Sequence, residues 1–305
     1  LFKINIWHYF SYLFYVVILF LLIWASIYGI KVSGSQRWID LYFINLQPSE
    51  LMKIAIIACL AKYYHRVQLR EVNTFKHIFF SLIILILPIL LVISQPDLGT
   101  SILIGLSGLV VMWLSGLNIK YFIYSFLTLL ISMPFAISLL KPYQKLRILT
   151  FLNPDRDPLG AGYQIIQSKI AVGSGGFTGK GFLKGTQNYL EFLPEKHTDF
   201  IFTLFAEEYG FLGSLGLLLI YIIIIYRIIK IGSISRSYFA KIFCYGFASS
   251  IFFYISVNMS MVLGLLPIVG SPLPIMSYGG SSMLATMIGF AIVMSAKINH
   301  KQLIA

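Results

Sequence analysis

The feature that most constrains this chain is a succession of apolar segments, each close in length to a helix that crosses a bilayer. A hydrocarbon core of about 30 Å requires about 20 apolar residues in a helix. Eight segments approach that length, although some are short or polar at one end. They are Tyr9 to Ile30, Ser49 to Tyr64, Ile78 to Ser94, Gly99 to Gly116, Tyr121 to Leu140, Asp199 to Ile229, Ala240 to Leu266 and Ser282 to Ala296. The sequence therefore predicts an all-α polytopic membrane protein, a helix bundle with about eight transmembrane helices.

Composition agrees with a bilayer as the solvent. Hydrophobic residues make up 58% of the 305 residues and charged residues 11%, whereas a soluble domain needs more polar surface. The net charge of +12 is not gathered in a basic run, so we expect no nucleic-acid partner. Cys59 and Cys244 lie in apolar segments and give no disulfide framework or metal-ligand spacing. We expect residues 1–305 to form a single integral membrane domain.

The distribution of cations predicts the orientation. With a cytoplasmic N-terminus, the short outer loops contain only Lys31 and Arg37, and both termini lie in the cytoplasm. The inner loops then contain Lys3, Lys62, Arg66, Arg70, Lys76, Lys120, Arg227, Lys230, Arg236, Lys241, Lys297 and Lys301. This asymmetry follows the positive-inside rule.

One connection, residues 141–198, is too long to be a simple joint and faces outward in this orientation. It is polar, rich in Gly and Pro and mixed in charge, but it also contains apolar side chains that a disordered segment would lack. We therefore expect a folded extracytoplasmic cap over the helix bundle.

A Gly-rich run within this connection, Gly173 to Gly181, invites comparison with a phosphate-binding loop. The Walker pattern requires Gly at position 174 and Ser or Thr at position 181, where this chain has Ser174 and Gly181. An NTPase is therefore excluded. A flexible turn and a backbone nest for a diphosphate both remain open.

Glu50 and Lys53 lie one helical turn apart at the start of the second apolar segment, so their side chains can meet. Ionisable groups near membrane depth are costly and are candidates for function. The structural alternative is an interfacial pair, with Ser49 capping the helix and Lys53 extending outward to water. The residues alone leave both interpretations open.

Asp97 and Trp38 also have structural alternatives. Asp97 precedes the fourth apolar segment and is placed to cap its helix. Trp38 lies in an outer loop, where aromatic residues are typical of the membrane interface.

The densest set of ionisable groups ends at Asp199, where the long connection re-enters the membrane. Apolar residues follow Asp199 at once, so its carboxylate lies at the boundary between water and lipid. It can act as a general base or bind a cation, and the alternative is helix capping by Asp199 or Thr198. His197 has no Cys or His neighbours at ligand spacing, which favours an ordinary loop residue.

The apolar stretch after Asp199 would overspan the bilayer, and Gly210 and Gly213 offer a break in it. We expect a short outer helix followed by the true span. Glu207 and Glu208 would then line a cavity near the outer leaflet.

Several short runs occur together along almost the whole chain. They are Gln36-Arg37-Trp38, Gln47-Pro48-Ser49-Glu50, Gln95-Pro96-Asp97-Leu98-Gly99-Thr100, Asp157-Pro158-Leu159-Gly160-Ala161-Gly162-Tyr163, Gln167-Ser168-Lys169, Gly173-Ser174-Gly175-Gly176, Glu191-Phe192-Leu193-Pro194, His197-Thr198-Asp199-Phe200-Ile201-Phe202 and a C-terminal set of Asn258, Gly264, Pro267, Gly270 and Ser277-Tyr278-Gly279-Gly280-Ser281-Ser282. With these runs the chain resembles the SEDS family of shape, elongation, division and sporulation proteins, and most closely its elongation branch.

The resemblance implies a SEDS-type helix bundle in the bacterial cytoplasmic (inner) membrane. It also implies a peptidoglycan glycosyltransferase that polymerises lipid II beside a class B penicillin-binding protein, the transpeptidase, within the elongation machinery that maintains cell shape. Asp199 matches the family's essential aspartate and Trp38 its outer-loop tryptophan. Glu50 and Lys53 match a polar pair beside the proposed substrate cavity.

In that reaction an acceptor hydroxyl attacks an anomeric carbon that bears a lipid diphosphate, and Asp199 is the expected catalytic base. The developing charge on the diphosphate requires cations or a divalent metal, Mg²⁺ or Mn²⁺. No other cofactor is expected. The expected substrate-binding residues are Trp38, Arg37, Glu50, Lys53, Asp97, Lys169 and Lys196.

Two departures from the family pattern accompany the resemblance. Family members usually have ten spans, and the first span here matches their third, so we expect a fragment or a shortened form. Ser271 replaces an aliphatic residue, which we expect to be tolerated. The alternatives to an enzyme are a transporter (flippase) of the lipid-linked precursor and a non-catalytic scaffold of the elongation machinery.

Overall fold

The computed structural model describes residues 2–32, 35–40, 42, 45–139, 142–154, 161–186 and 197–304. Within these residues lie ten α-helices and three short β-strands. The helices are α1 (Ile4–Tyr28), α2 (Pro48–His65), α3 (Phe75–Ser94), α4 (Leu98–Leu114), α5 (Ile119–Leu139), α6 (Pro142–Leu152), α7 (Ala161–Ser174), α8 (Ile201–Ile234), α9 (Tyr238–Val262) and α10 (Gly280–Ile298). The strands are β1 (Ile30–Val32), β2 (Ser35–Asp40) and β3 (Asn45–Leu46).

The chain divides into two compact units. The first unit comprises Leu1–Leu117, Ile222–Tyr254 and Tyr278–Ala305, and the second comprises Asn118–Tyr221 and Ile255–Ser277. The prediction of a single integral membrane domain stays a prediction.

Helix α2 lies at the centre of the first unit. Apolar residues occupy all of its faces, and every residue except Tyr63 and His65 is buried. A helix that is apolar all round requires neighbours on every side, and α1, α3, α4 and α10 pack against it. The packing of α2 on all sides therefore fixes the positions of Glu50 and Lys53 near its N-terminal end.

Helices α1 and α3 bury only one stripe each. The buried stripe of α1 comprises Ile4, His8, Ser11, Ile18, Leu22 and Ala25. That of α3 comprises Ser81, Leu85, Pro88 and Val92. The spacing of three, four and seven residues is that of one helix face. Most of the remaining large side chains of both helices are apolar yet exposed, as lipid-facing surfaces require.

A three-stranded antiparallel sheet connects α1 to α2, in the order β1-β2-β3. Ile30 pairs with Trp38 across β1 and β2, and Ile39 pairs with Leu46 across β2 and β3. The Gln36 amide donates to the carbonyl of Ile27 at 3.1 Å, which ties β2 back to α1. The sheet thus fixes the position of Arg37 and Trp38 next to the helices of the first unit.

The long connection is folded in its described parts, as predicted. It contains α6 and α7, which pack against each other, and a series of turns from Gly175 to Thr186. The segments 155–160 and 187–196 lie outside the described residues.

Helix α8 is broken where the sequence predicts. Gly210 has φ 64° and ψ −159°, a backbone conformation that only glycine adopts readily. An added Cβ at Gly210 would lie 2.3 Å from the backbone nitrogen of Gly179, so the site also excludes a side chain for steric reasons. A short helix from Ile201 therefore precedes the apolar span that ends at Ile234.

Each of the eight predicted apolar segments coincides over most of its length with one helix, α1–α5 or α8–α10. Among the described residues, five helices are long and apolar enough to cross a membrane: α1, α3, α8, α9 and α10. Helix α4 and the apolar part of α5 are shorter. Helix α2 has 18 residues but contains Glu50, Lys53 and Lys62, whose side chains are buried in the protein.

Candidate functional site

Asp97 is the centre of a buried polar network in the first unit. Its Oδ1 accepts hydrogen bonds from the backbone nitrogen and the hydroxyl of Thr100, at 3.1 and 2.8 Å. These bonds make Asp97 the N-cap of α4 and confirm the predicted structural role. Its Oδ2 lies 2.9 Å from Arg37 Nη1 and accepts from Gln47 Nε2 at 3.2 Å. The carboxylate therefore joins β2, the start of α2 and the start of α4.

Arg37 and Trp38 occupy neighbouring positions on β2 and so point to opposite faces of the strand. The Arg37 side chain turns toward Asp97 and remains 28% exposed. Its Nε is buried and has no hydrogen-bond partner among the described residues. Trp38 is half-buried. The guanidinium therefore retains donor capacity after it has paired with Asp97.

Glu50 and Lys53 form a buried ion pair. Lys53 Nζ lies 2.6 Å from Glu50 Oε2 and 3.9 Å from the centre of the Tyr254 ring, which adds a cation–π contact. Lys53 is only 4% exposed, so the alternative in which it extends to water is wrong. The expectation that Ser49 caps α2 is also wrong, because the helix N-cap is Gln47 and the Ser49 hydroxyl has no partner among the described residues.

In the second unit, Asp199 lies in a turn immediately before α8 and is half-buried. Its backbone carbonyl accepts a hydrogen bond from Asn258 Nδ2 at 2.8 Å, and Asn258 Nδ2 also donates to the carbonyl of Ser271 at 2.7 Å. The preceding carbonyl, that of Thr198, accepts from the Ser277 hydroxyl at 2.7 Å. Side chains from the C-terminal signature thus hold the main chain on which Asp199 is carried.

Gly270 gives the Asp199 side chain its space. Gly270 has φ +68°, and a Cβ built there would lie 3.4 Å from Asp199 Oδ2. The carboxylate therefore lies against the glycine backbone of the segment between α9 and α10. The sequence alone indicates no individual role for Asn258, Gly270 or Ser277, although all three belong to the C-terminal set of family residues.

Lys169 extends from the exposed side of α7. Its aliphatic chain lies against Gly264, where an added Cβ would be 2.0 Å from Lys169 Cε. The adjacent Ser168 is buried, donates to the carbonyl of Val262 at 2.7 Å and lies 2.9 Å from the hydroxyl of Thr203. Ser168 therefore joins α7 to the start of α8 and the end of α9 within the second unit.

The Gly-rich run is a structural turn that closes the break in α8. The amides of Lys180 and Gly181 donate to the carbonyls of Glu207 and Glu208, at 3.0 and 2.9 Å. After the break, the amides of Phe211 and Leu212 donate to the carbonyls of Gly176 and Phe177, at 2.9 and 3.1 Å. These bonds satisfy groups that a helix end leaves unpaired.

The same turn also leaves few backbone amides free to bind a diphosphate. The amides of Gly175, Gly176 and Gly179 bond to carbonyls within the turn and α7, in addition to the two that bond to α8. A nest needs free amides, so the diphosphate-nest interpretation of this run is not supported.

Glu207 is fully buried and is not a cavity-lining acid of the kind expected. Its Oε1 lies 2.7 Å from Lys180 Nζ and accepts from the backbone amide and the hydroxyl of Thr186, at 2.9 and 2.8 Å. Glu208 is also largely buried. No local sequence signal indicated the pair of Lys180 and Glu207, which are 27 residues apart.

The predicted site residues are distributed over both units. Arg37, Trp38, Glu50, Lys53 and Asp97 belong to the first unit, and Lys169 and Asp199 belong to the second. His197 is exposed, as expected of a loop residue. Lys196 and the runs Asp157 to Gly160 and Glu191 to Pro194 lie outside the described residues. Among the described residues, no group of three His, Cys, Asp or Glu side chains could hold a metal ion.

Comparison with known proteins gives consistent matches over nearly the whole chain. The FtsW/RodA/SpoVE family, described as Cell cycle protein, matches residues 1–302. Peptidoglycan glycosyltransferase MrdB of Escherichia coli K12 is 45% identical over 290 residues, which are 95% of this chain and 78% of that protein. Stage V sporulation protein E of Bacillus subtilis is 36% identical over 293 residues, 95% of this chain and 79% of that protein.

Solved structures match the fold. A structure described as the structural coordination of polymerization and crosslinking by a peptidoglycan synthase complex matches with a TM-score of 0.86 and 28% identity, over 99% of this chain and 84% of that one. The rod shape determining protein RodA of Thermus thermophilus matches with a TM-score of 0.70 and 25% identity, over 97% and 80%.

Proposed function

Because the chain belongs to the FtsW/RodA/SpoVE family, which is the SEDS family predicted from the sequence, we propose that it is a peptidoglycan glycosyltransferase of the RodA type. It polymerises lipid II into glycan strands during cell elongation. The SEDS-type helix bundle is confirmed, and the chain is a multi-pass membrane protein.

The observation that carries this proposal is the anchoring of Asp199. Asn258 and Ser277 donate to the carbonyls of Asp199 and Thr198, on either side of the Asp199 Cα, and Gly270 leaves room beside its carboxylate. A base must be held within hydrogen-bond reach of the hydroxyl that it deprotonates. In the proposed reaction, Asp199 accepts the proton of the acceptor sugar hydroxyl as the oxygen attacks the anomeric carbon, and the lipid diphosphate leaves.

Arg37 is the proposed first contact for the diphosphate in the first unit. Its side chain is 28% exposed, while its Nη1 pairs with Asp97. Asp97 pairs with Arg37 and accepts a hydrogen bond from Gln47, so we assign Asp97 to the positioning of Arg37. Trp38, the next residue on β2, is kept as a proposed substrate-binding residue. Glu50 and Lys53 neutralise each other near the start of α2, the helix whose N-cap is Gln47.

Lys169 and Lys196 are the proposed cations of the second unit. Lys169 is exposed on α7, and its aliphatic chain is supported by Gly264. A positive charge near the departing diphosphate lowers the barrier to its release.

A divalent cation, Mg²⁺ or Mn²⁺, is part of this proposal, with Asp199 as its proposed ligand on the protein. Mg²⁺ is commonly bound by one or two carboxylates together with the phosphates of a substrate, which the lipid diphosphate would supply. When bound, the cation would stabilise negative charge on the diphosphate. Removal of divalent cations by EDTA, followed by addition of Mg²⁺ or Mn²⁺, tests this proposal through the rate of polymerisation.

The proposed setting is the bacterial inner membrane, with both termini in the cytoplasm and residues 141–198 outside. The cation asymmetry of the loops supports this orientation. The proposed partner is a class B penicillin-binding protein that crosslinks the strands, and the matching peptidoglycan synthase complex supports it.

The test is polymerisation of lipid II by the full chain together with its class B partner. We expect Asp199→Asn to lower the rate by about 100-fold or more, the usual contribution of a general base. Glu71→Gln is the matched control, because it also replaces a carboxylate by an amide, at an exposed acid away from the proposed site. The polymerisation rate of this control should be unaltered. Unfolding temperatures of both variants show that they are folded.

Polymerisation by Asp199→Asn at the normal rate would remove this residue from the mechanism. Transfer of lipid II across a vesicle bilayer without polymer would instead identify a transporter. A folded protein with neither activity would identify a scaffold.

A further inference from the structure

A concave basic site lies at the shared end of α8 and α10 in the first unit. It encloses a volume of about 280 Å³ and is lined by Arg227, Lys230, Ile231, Ile234, Lys297 and His300. These residues belong to the last two turns of α8, the last turn of α10 and the residues just beyond it. None of them takes part in the proposed polymerisation.

The charge of this site is not compensated by the protein. No carboxylate lines the cavity, and no ion pair involves Arg227, Lys230 or Lys297 among the described residues. His300 is held in the wall of the cavity by a hydrogen bond from its Nδ1 to the carbonyl of Lys297, at 2.9 Å. Three fixed positive charges therefore converge on one cavity.

Topology alone explains cations at these helix ends, since they suit the cytoplasmic side and the negative end of a helix dipole. It does not explain their convergence on a concave site with two isoleucines in its wall. Solvated surface lysines would extend away from each other into water. A site that combines cations with apolar wall residues suits a ligand with an anionic head and an apolar body.

Helix α8 also offers a surface for that apolar body. Ile223 lies one helical turn before Arg227, and Tyr226 lies one turn before Lys230, on the faces that lead into the cavity. Both side chains are exposed, at 57% and 59%. An acyl chain along this surface would connect directly to a head group in the cavity.

We propose that this cavity binds the head group of an anionic phospholipid. Basic pockets between membrane helices are a known way of recognising such head groups. A single phosphodiester brings one negative charge against three fixed positive charges, so a lipid with two phosphodiesters, such as cardiolipin, binds more tightly than phosphatidylglycerol. Free phosphate shares the anionic chemistry but lacks the acyl chains that the surface of α8 accepts.

The test measures binding of defined lipids to the full chain purified in detergent, by native mass spectrometry or by displacement of a labelled lipid. The probes are cardiolipin, phosphatidylglycerol, phosphatidylcholine and inorganic phosphate. We expect affinity to fall in that order, with inorganic phosphate unable to displace the bound lipid at equal concentration.

The variant Arg227→Gln/Lys230→Gln/Lys297→Gln should bind cardiolipin about tenfold more weakly or worse, since each cation contributes to lipid binding. Arg70→Gln/Lys76→Gln/Lys120→Gln is the matched control, because it removes one Arg and two Lys that are exposed and outside the cavity. Its cardiolipin affinity should change by less than about twofold. Ile234→Trp keeps every charge but fills the cavity, and it should also weaken binding.

Equal losses in the two triple variants would overturn the proposal, since net charge alone would then determine binding. So would unaltered cardiolipin binding by Ile234→Trp, which does not depend on how the triple variants fold. Displacement of the lipid by inorganic phosphate at equal concentration would identify a free-anion site instead.

Discussion

The polar cores of the two units are built in different ways. In the first unit, charged side chains bond to each other: Arg37 to Asp97, and Glu50 to Lys53. In the second unit, side chains mainly hold backbone groups, as Asn258 and Ser277 do for the carbonyls next to α8. Among the described residues of the second unit, the pair of Lys180 and Glu207 is an exception, and it supports a turn that is otherwise held mainly by main-chain bonds.

This difference distinguishes charges that stabilise the fold from the charge that is proposed to act in the reaction. An acid that is needed to neutralise a buried cation, such as Glu50, cannot change its charge without a cost in stability. The main chain that carries Asp199 is held by Asn258 and Ser277, so neutralising the Asp199 carboxylate leaves these two anchoring bonds in place. The ion pairs of the first unit therefore stabilise its fold, whereas the proposed catalytic acid lies in the second unit, which also contains the structural pair of Lys180 and Glu207.

The largest effect on stability is expected from the first unit. Lys53→Met leaves the Glu50 carboxylate buried without its cation and should lower the free energy of unfolding by about 3–5 kcal/mol. The double variant Glu50→Gln/Lys53→Met should recover much of this loss. Denaturant unfolding in detergent measures both, with Lys76→Met as a surface control. Equal losses in the single and double variants would contradict an ion pair as the cause.

The break in α8 is the corresponding test of the second unit. Gly210→Ala forces a side chain into a glycine conformation and against the turn at Gly179, which should cost about 3 kcal/mol. Gly216→Ala is the control in the same helix, since an added Cβ there meets nothing within 4 Å. Denaturant unfolding of the two variants in detergent measures the difference. If Gly216→Ala loses as much stability as Gly210→Ala, the conformation at the break is not the cause of the loss.

Asp97→Asn should have a smaller effect, a loss of about 2 kcal/mol. The amide retains an oxygen for the cap of α4 but loses the charge that attracts Arg37, and it adds donors opposite Gln47. Unfolding temperature measures the change, and Asp40→Asn at an exposed acid is the control. If Asp97→Asn is as stable as the parent chain, the first unit does not depend on this charge.

The smallest effect is a gain. The Ser271 hydroxyl is buried without a partner among the described residues, so Ser271→Ala should raise stability by about 1 kcal/mol while the Ser271 carbonyl keeps its bond to Asn258. Ser277→Ala removes a hydroxyl with two bonds and should lower stability by about the same amount. Calorimetry of the two variants should therefore give shifts of opposite sign, and shifts of the same sign would contradict this assignment.

Sequence reasoning succeeded where the signal is local. The spans follow from apolar length, the break at Gly210 from a stretch too long for a bilayer, and the cap by Asp97 from its position before α4. It predicted that Glu50 and Lys53 can meet, which is confirmed, but left the burial of Lys53 open, because the ring that covers Lys53 belongs to Tyr254, which is distant in the sequence. The partners of Asp97 and the anchors of Asp199 were missed for the same reason, since side chains brought together by packing leave no pattern along the chain.

The turn that closes the break in α8 has a consequence for the assembly of the protein. Its donors and acceptors, from Gly176 to Gly181, precede α8 in the chain and therefore leave the ribosome first. When the interrupted helix reaches the membrane, the groups that satisfy its open amides and carbonyls have already been made. The backbone groups at the break can thus form their hydrogen bonds as α8 inserts, before any later segment of the polypeptide has been made.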